Sequence, residues 1–297
     1  MITAAYRTLL PASFRDWLYK AFVGEVVFFF RNFRLHVRSK FTFLFYPFLP
    51  KNELNKALAF MGRHGLTSYP ASYMLKYKNM SVDLIRDEEL HLEYCWHNGR
   101  KLYFTDAFDR DRIIRLYRSL VTEQDVNSAH RYITHAECMK DVTLLDVGSA
   151  EGIFSLDHIE DVKHVYLFEA EPYWIKALEA TFAPWKHKVT IIKKYIGSTD
   201  KEGYTTIDEF MKDKPFEKLF IKMDIEGAEW EALQGAQKTL GMKANIQLAV
   251  CTYHRLGDPE KFNEFLGRNH FTTSFSEGFL FWGRRLSKAV IRGEKNA

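Results

Sequence analysis

Short apolar runs alternate with amphipathic stretches along the second half of the chain. Apolar runs of about four to eight residues bounded by turn residues are typical of buried strands. The strand candidates are Thr143–Val147, His164–Glu169, Val189–Lys193, Leu219–Asp224 and Ile246–Tyr253. Helices are predicted from about Ile153, Pro172, Ala228 and Asp258. This alternation predicts a mostly parallel sheet with helices on both faces.

The C-terminal part of the core predicts an antiparallel finish to that sheet. Ser276-Glu277-Gly278 separates the apolar runs Thr272–Phe275 and Phe279–Gly283, which is typical of a hairpin. The predicted fold class is therefore α/β, a Rossmann-like mostly parallel sheet with a terminal antiparallel hairpin and an N-terminal helical or mixed extension. The predicted domains are a basic Phe-rich segment (1-60), a mixed α/β extension contributing to the pocket (61-140), the core (141-285) and a basic tail (286-297).

The first fifty residues are dominated by phenylalanine and basic side chains. They hold 10 of the 25 Phe, seven Lys or Arg and two Asp or Glu, so their net charge is +5. On a helical wheel the apolar face is Phe22, Val26, Phe29, Phe33 and Val37, and the basic face is Lys20, Arg31, Arg34 and Arg38. The following alternation, as in a strand or an inserted loop, is Phe41, Phe43, Phe45 and Phe48.

This pattern predicts a partner for residues 20-48. A basic amphipathic helix with aromatic residues is typical of a segment that lies on an anionic bilayer. Peripheral membrane contact is therefore one interpretation. The slightly preferred interpretation is that the aromatic face packs against the core or against a second copy in a homo-oligomer, since an aromatic stripe belongs to a core more often than to a membrane surface.

Composition and charge exclude several classes of protein. Hydrophobic residues make up 46% of the 297 residues, so a sizeable core can be buried. The net charge of +4 is too small to predict a nucleic-acid partner. Cys95, Cys138 and Cys251 form no C-x-x-C pair, which argues against a disulfide framework and a zinc site. Neither a signal peptide nor an apolar run near the ~20 residues of a bilayer-spanning helix is recognised, so we expect a cytoplasmic location, at the inner face of the membrane if the first segment binds lipid.

A glycine-rich turn follows the first strand candidate of the core. The segment Asp146–Gly152 reads D-V-G-S-A-E-G, whose spacing differs from the G-x-G-x-x-G of nicotinamide-binding folds. Ligands of open α/β sheets bind at the carboxyl ends of the strands, and Gly148 permits a sharp turn and the close approach of a ligand. An acid before the first glycine suits a cationic amino-acid moiety better than a pyrophosphate. The cofactor-binding residues predicted here are Asp146, Gly148, Ser149, Ala150, Glu151 and Gly152.

Acidic residues end two further strand candidates. Glu169, 21 residues after Gly148, can accept hydrogen bonds from ribose hydroxyls, although the dipole of the next helix also favours an acid there. Asp224 is predicted at the rim of the same cleft. Glu226 and Glu229 follow it in the first turn of a helix, where acids are stabilised without any function, and for Glu229 that interpretation is preferred.

Several motifs in this order resemble those of FkbM-type methyltransferases. They are D-V-G-S-A-E-G, Y-L-F-E, T-I-D-E-F at Thr206–Phe210, F-I-K-M-D-I-E-G-A-E at Phe220–Glu229 and T-Y-H at Thr252–His254 with Asp258. The resemblance covers about Leu144 to Tyr253 and extends upstream through residues 123–132. It implies a class I fold that binds S-adenosylmethionine and O-methylates a sugar or natural-product hydroxyl. Ala150 departs from the glycine common at its position. The predicted cofactor-binding set also includes Ala170, Tyr195, Ile196 and Asp224.

Candidate catalytic residues follow from the chemistry of a hydroxyl acceptor. A protonated hydroxyl is a poor nucleophile and needs a base or a metal. His254, just past the fifth strand candidate, is the predicted base, with Asp224 as its catalytic neighbour; a hydrogen bond to a strand-end carbonyl is the alternative role of His254. The predicted acceptor residues are Glu123, His130, Tyr132, Glu226 and Tyr253, unless they form a structural network. A divalent metal held by Asp224, Glu226, His254 and Asp258 is the less favoured alternative, and no metal ligand is predicted.

The predicted function is thus S-adenosylmethionine-dependent O-methylation, with a sugar hydroxyl of a glycan or glycosylated intermediate as acceptor and polysaccharide biosynthesis as the setting. The first alternative is a non-catalytic cofactor-binding or assembly protein that keeps this fold. The apparently intact acids and glycines of the motifs disfavour it. The second alternative, a nicotinamide oxidoreductase, is disfavoured by the glycine spacing.

Overall fold

The computed structural model describes residues 24–297. Of these, residues 24–71 and 281–286 form one compact unit, and residues 72–280 and 287–297 form a second. No helix among the described residues is long and apolar enough to cross a membrane.

The first unit is helical. It contains α1 (Gly24–Arg31), α2 (Phe33–Phe45), a 3₁₀ turn (Tyr46–Phe48) and α3 (Glu53–His64). Asn32 interrupts the single helix that the wheel predicts, and its side-chain amide donates to the Phe28 carbonyl at 2.9 Å. Phe22 and Lys20, which also belong to that wheel, lie outside the described residues. The strand or loop interpretation of Phe41–Phe45 is wrong, because α2 runs through this stretch and packs along α3.

The second unit begins with a small antiparallel sheet and a long helix. The elements are β1 (Ile85–Asp87), β2 (Leu92–His97), β3 (Arg100–Phe104) and α4 (Arg110–Glu123), flanked by 3₁₀ turns at Ser72–Lys76 and Ala136–Met139. The carboxylate of Asp109 accepts the Arg112 N–H at 2.7 Å, which caps the first turn of α4. These elements combine strands with helix between residues 72 and 139, before the first strand of the central sheet.

The core carries most of the remaining elements. Its strands are β4 (Thr143–Val147), β5 (His164–Phe168), β6 (Val189–Ile192), β7 (Tyr195–Ile196), β8 (Tyr204–Thr205), β9 (Lys218–Met223), β10 (Asn245–Cys251), β11 (Thr272–Phe275) and β14 (Val290–Lys295). The short strands β12 (Leu280–Trp282) and β13 (Arg285–Ser287) lie mostly within residues 281–286 of the first unit. The helices of the core are α5 (Ile153–Asp157), α6 (Pro172–Phe182), α7 (Ile207–Met211), α8 (Glu229–Gln234), α9 (Gln237–Gly241) and α10 (Asp258–Arg268). A 3₁₀ turn (Ala183–Trp185) follows α6.

The central sheet has seven strands in the order β11-β14-β10-β9-β4-β5-β6. The pairings from β10 through β9, β4 and β5 to β6 are parallel, and β14 is antiparallel to both of its neighbours. The predicted α/β class with a mostly parallel sheet is confirmed. Strand β4 lies between β9 and β5, and all of its residues are buried. Because these three strands are parallel, the turn after Val147 lies at the same edge of the sheet as the carboxyl ends of β5 and β9.

The antiparallel finish is present, but its predicted pairing is wrong. Thr272–Phe275 pairs with β14, and the stretch around Phe279–Gly283 contributes β12, which pairs with β13. Val290 and Ile291 are fully buried between β10 and β11, and burying these two apolar side chains stabilises the pairing. The segment predicted as a basic tail, residues 286-297, therefore supplies an internal strand of the sheet.

Candidate active site

A cleft of about 660 Å³ opens at the carboxyl ends of β4, β5 and β9. This is the size range of small-molecule sites. Among its lining residues are eight of the predicted cofactor-binding residues: Gly148, Ala150, Glu151, Glu169, Ala170, Tyr195, Ile196 and Asp224. Phe108, Arg112 and Leu116 also line it, so the extension before the core contributes to the pocket. The sequence did not single out these three residues, because no motif marks them.

The turn after β4 lies against the end of β9. Gly148 has a φ of 79°, and a Cβ added to it would lie 1.9 Å from the carbonyl oxygen of Asp224. Only glycine therefore fits at this position. Ala150 also has a left-handed φ, 46°, and lines the cleft, which remains open beside its methyl group. Ser149 and Gly152 belong to the same turn but do not line the cleft.

The structure corrects the role predicted for Asp146. Its side chain is fully buried 2.9 Å from Nζ of Lys222, and it accepts the hydroxyl of Ser155 at 2.6 Å. Asp146 therefore has a cationic partner within the protein and does not line the cleft. Lys222 also donates to the Gly148 carbonyl at 2.5 Å. The ion pair fixes the glycine turn. The sequence does not reveal this role of Lys222, because nothing in the motif shows where its side chain points.

Glu169 is held at the edge of the cleft by backbone donors. One carboxylate oxygen accepts the Ala150 N–H at 2.9 Å, and the other accepts the Glu171 N–H at 2.8 Å. Burial raises the pKa of Glu169, and the two backbone hydrogen bonds offset only part of that effect. A carboxylate oxygen accepts more than one hydrogen bond, so each oxygen keeps acceptor capacity for a ligand hydroxyl.

A second acid of the cleft, Glu151, is also buried, and the shift of its pKa is large. Burial raises this pKa to about 8. Glu151 is therefore mostly protonated at neutral pH. A cation placed beside it would favour its ionised form.

Asp224 is the centre of a polar cluster behind the rim of the cleft. Its carboxylate accepts the hydroxyl of Tyr132 at 2.8 Å and lies 3.6 Å from a nitrogen of each of His130 and His254. Burial raises the pKa of Asp224, but the charges of His130, Lys222 and His254 and the tyrosine hydrogen bond lower it overall. Asp224 is therefore an anion at neutral pH.

His254 is oriented by Glu229. Its Nδ1 lies 2.9 Å from Oε1 of Glu229, a fully buried carboxylate that also accepts the N–H groups of Ile225 and Gly227 at 2.9 and 3.3 Å. Nε2 therefore faces the cleft-lining carboxylates of Asp224 and Glu226, at 3.6 and 3.5 Å. Burial lowers the pKa of His254, but the hydrogen bond and charge of Glu229, with the other carboxylates, raise it overall.

This geometry corrects the interpretation of Glu229 as a helix-start acid without a further role. It positions a histidine, an arrangement used to fix the tautomer of catalytic imidazoles. The signal in the sequence was its place in the motif after Asp224, but spacing alone does not show a contact with a residue 25 positions later.

The predicted acceptor residues divide into two groups. Glu226 lines the cleft. His130 is buried, with Nε2 3.2 Å from the hydroxyl of Tyr253 and Nδ1 3.9 Å from Glu123, and burial lowers its pKa to about 4. Together with Tyr132, the side chains of Glu123, His130 and Tyr253 form a network behind Asp224. Their role in acceptor binding stays a prediction.

Two groups of side chains in the described residues bring possible metal-ligand atoms within 4.8 Å of one another. They are His130, Asp224 and Cys251, and Asp224, Glu229 and His254. Asp258, part of the set considered from the sequence, accepts the Arg255 N–H at 3.2 Å at the start of α10 and belongs to neither group. The hydrogen bonds and ion pairs within these groups already account for their proximity, and histidine catalysis without a metal stays a prediction.

Solved methyltransferase structures resemble the chain weakly. Precorrin-6y C5,15-methyltransferase from Geobacter metallireducens has 14% identity, covers 54% of this chain and 86% of its own, and gives a TM-score of 0.37. The N-methyltransferase NodS from Bradyrhizobium japonicum has 12% identity, covers 64% and 99%, and gives 0.38. Ribosomal protein L11 methylase from Lactobacillus delbrueckii has 12% identity, covers 60% and 79%, and gives 0.37. These likenesses carry no information on the substrate.

A search of curated proteins finds no match to the chain. The Methyltransferase FkbM domain matches residues 196–270, which include Asp224, Glu226 and His254 but not the glycine turn. This match confirms the resemblance to FkbM-type methyltransferases over residues 196–270.

Proposed function

We propose that this chain is an O-methyltransferase whose acceptor is a sugar hydroxyl of a glycan or glycosylated intermediate. The observation that carries the proposal is the orientation of His254. Glu229 holds its Nδ1, so that Nε2 faces Asp224 and Glu226 at the cleft. A hydroxyl acceptor requires a base, whereas an amine acceptor already carries a lone pair once it is neutral.

The cleft has the donor and acceptor groups that S-adenosylmethionine needs. Glu169 keeps free acceptor capacity for two ribose hydroxyls. Ile196, Trp174 and Tyr195 supply apolar and aromatic surface for the adenine ring. Glu151 offers a carboxyl group whose ionised form a cationic ligand stabilises. The residues present therefore fit this cofactor.

When bound in this cleft, the cofactor would supply an electrophilic methyl group on a positively charged sulfur, and that sulfur would keep the electron pair of the methyl–sulfur bond. His254 Nε2 receives the proton of the acceptor hydroxyl. Glu229 holds the imidazole in the tautomer with a proton on Nδ1 and stabilises the imidazolium that forms. Asp224 and Glu226 add negative charge beside that imidazolium.

A methyl-transfer assay tests this proposal. The full chain would be incubated with methyl-labelled S-adenosylmethionine and a panel of oligosaccharides and lipid-linked oligosaccharides, and a fully methylated oligosaccharide without free hydroxyls would be the matched control. We expect label in an alkali-stable methyl ether on the free acceptor alone, at a rate that a chelator leaves unchanged. Label on nitrogen or in an alkali-labile ester would contradict O-methylation of a hydroxyl. Binding of S-adenosylhomocysteine without transfer to any acceptor would favour the cofactor-binding protein.

Substituting Glu169→Gln tests the ribose contact. We expect the Kd for S-adenosylhomocysteine to rise about 10- to 100-fold, because hydrogen bonds to an ionised acceptor are worth about 1.5–3 kcal/mol. Isothermal calorimetry measures the change. Glu179→Gln is the matched control, since its carboxylate lies on α6, the helix that follows Glu169, and pairs with exposed Lys193 at 3.1 Å. Equal affinities of the two variants would show that Glu169 does not contact the ribose.

A further inference from the structure

Helix α2 buries polar side chains and exposes apolar ones. Its buried residues are Ser39 and Thr42. Its apolar side chains point to solvent: Phe33, Val37, Phe41 and Leu44 are 50%, 51%, 58% and 69% exposed. A surface helix of a water-soluble domain normally buries its apolar face, so the outer face of α2 is suited to an apolar environment.

Helices α2 and α3 approach each other closely at Gly62 of α3. A Cβ added to Gly62 of α3 would lie 2.2 Å from the Ser39 carbonyl oxygen, so the two backbones approach as closely as glycine allows. Helices that meet through glycine and serine while turning large apolar residues outward are typical of membranes, where lipid covers the apolar side.

The exposed apolar surface extends beyond α2. Of the 22 exposed large apolar side chains in the described residues, 12 lie between residues 26 and 48. We call these 12 side chains the aromatic surface. Those outside α2 are Val26, Val27, Phe28, Phe29, Phe30 and Phe48. Exposed apolar patches of more than a few hundred Å² mark interaction sites.

Charge identifies the partner of the aromatic surface. Arg31, Arg34, Arg38 and Lys40 are all exposed, and residues 24–48 contain one acid, Glu25, so four cations minus one anion leave +3. A symmetric contact with a second copy would place two such cationic segments against each other. An anionic lipid surface matches both the cations and the aromatic side chains.

The length of α2 distinguishes peripheral binding from membrane spanning. The 13 residues of α2 extend only ~20 Å at ~1.5 Å per residue, less than the ~30 Å of a bilayer core. We propose that the aromatic surface docks the protein peripherally on an anionic bilayer, with phenylalanine side chains inserted below the headgroups and arginine side chains beside the lipid phosphates. The enzyme and an acceptor carried on a lipid would then be located at the same membrane surface.

Vesicle flotation of the full-length chain tests the docking. The vesicles are phosphatidylcholine alone or an equal mixture of phosphatidylcholine and phosphatidylglycerol. We expect the chain to float with the mixed vesicles. The variant Phe41→Ser/Leu44→Ser/Phe48→Ser should bind at least ~10-fold less. Leu75→Ser/Val126→Ser/Met242→Ser, a matched control at exposed apolar positions elsewhere, should bind like the unaltered chain.

Substituting the arginine residues provides an independent test of the docking. Arg34→Gln/Arg38→Gln should weaken binding to the mixed vesicles by about 5-fold per charge. Added salt should also weaken the binding of the unaltered chain, because it screens the charges. Because flotation requires no turnover, its result is separate from that of the methyl-transfer assay. Thermal unfolding of each variant shows whether it is folded.

Three outcomes would overturn the docking proposal. The first is an unaltered chain that does not float with the mixed vesicles. The second is a folded triple variant that floats as well as the unaltered chain. The third is that the unaltered chain forms a dimer in solution, that the triple variant is monomeric, and that neither protein floats. This result would assign the aromatic surface to self-association.

Discussion

Replacing His254 by alanine should lower kcat by about a hundredfold to ten-thousandfold, the range of a positioned general base. The affinity for S-adenosylhomocysteine should stay close to that of the unaltered enzyme, because His254 lies outside the residues that line the cleft. Single-turnover methyl transfer and calorimetry measure the two quantities separately. His164→Ala is the matched control, since His164 begins β5, at the edge of the sheet opposite the cleft.

The pH dependence of kcat adds a second readout for His254. Its pKa is raised above the ordinary 6.5, and only the neutral imidazole accepts a proton. The rate should therefore rise with pH through an apparent pKa above 6.5 and level off once the imidazole is neutral. In Glu229→Gln this limb should move to lower pH, because glutamine does not stabilise the imidazolium. An unchanged kcat in His254→Ala would remove His254 from the catalytic role.

Gly148→Ala should have the largest effect on the folded state. The added methyl would lie 1.9 Å from the Asp224 carbonyl oxygen, and the left-handed φ of 79° is unfavourable for alanine. We expect the free energy of unfolding to fall by about 2–5 kcal/mol, as backbone strain and overpacking combine. Cofactor affinity should fall as well, because the turn and Asp224 both line the cleft.

Gly203→Ala separates the two causes of that loss. Gly203 has a similar φ, 73°, but an added Cβ would have no atom within 4 Å. Urea unfolding should show a loss of about 1 kcal/mol for this control, the cost of the backbone conformation alone. Equal losses in the two variants would contradict the close approach of the glycine turn to the end of β9.

The strands of the parallel sheet could be predicted from the sequence because each is a short local run of apolar residues. The position of β14 could not. Val290–Lys295 contains two apolar residues followed by charged ones, and its place between β10 and β11 depends on pairings that local spacing does not encode. The prediction of a strand or loop at Phe41–Phe45 was wrong for a related reason. The alternation of Phe41, Phe43 and Phe45 fits a strand, but Phe41 and Phe45 are also four apart and share one face of a helix.

The convergence of the cleft-lining residues could be predicted more readily than the contacts of the polar cluster around Asp224. Glu169 and Gly148 follow strand ends, and strand ends of a parallel sheet meet at one edge, so their convergence follows from the fold. The pairing of Asp146 with Lys222 joins residues 76 positions apart, and the contact of Glu229 with His254 depends on how the loop after β10 returns to α8. The direction of a side chain at the end of a strand is set by such contacts, which the sequence does not display.

The most direct measurement is a crystal structure of the full chain with S-adenosylhomocysteine. We expect the ligand in the cleft, with its ribose hydroxyls donating to Glu169 and its sulfur on the side of Asp224 and His254. A cleft without ligand at saturating concentration, or a ligand bound elsewhere on the molecule, would contradict the assignment of this cleft as the cofactor site.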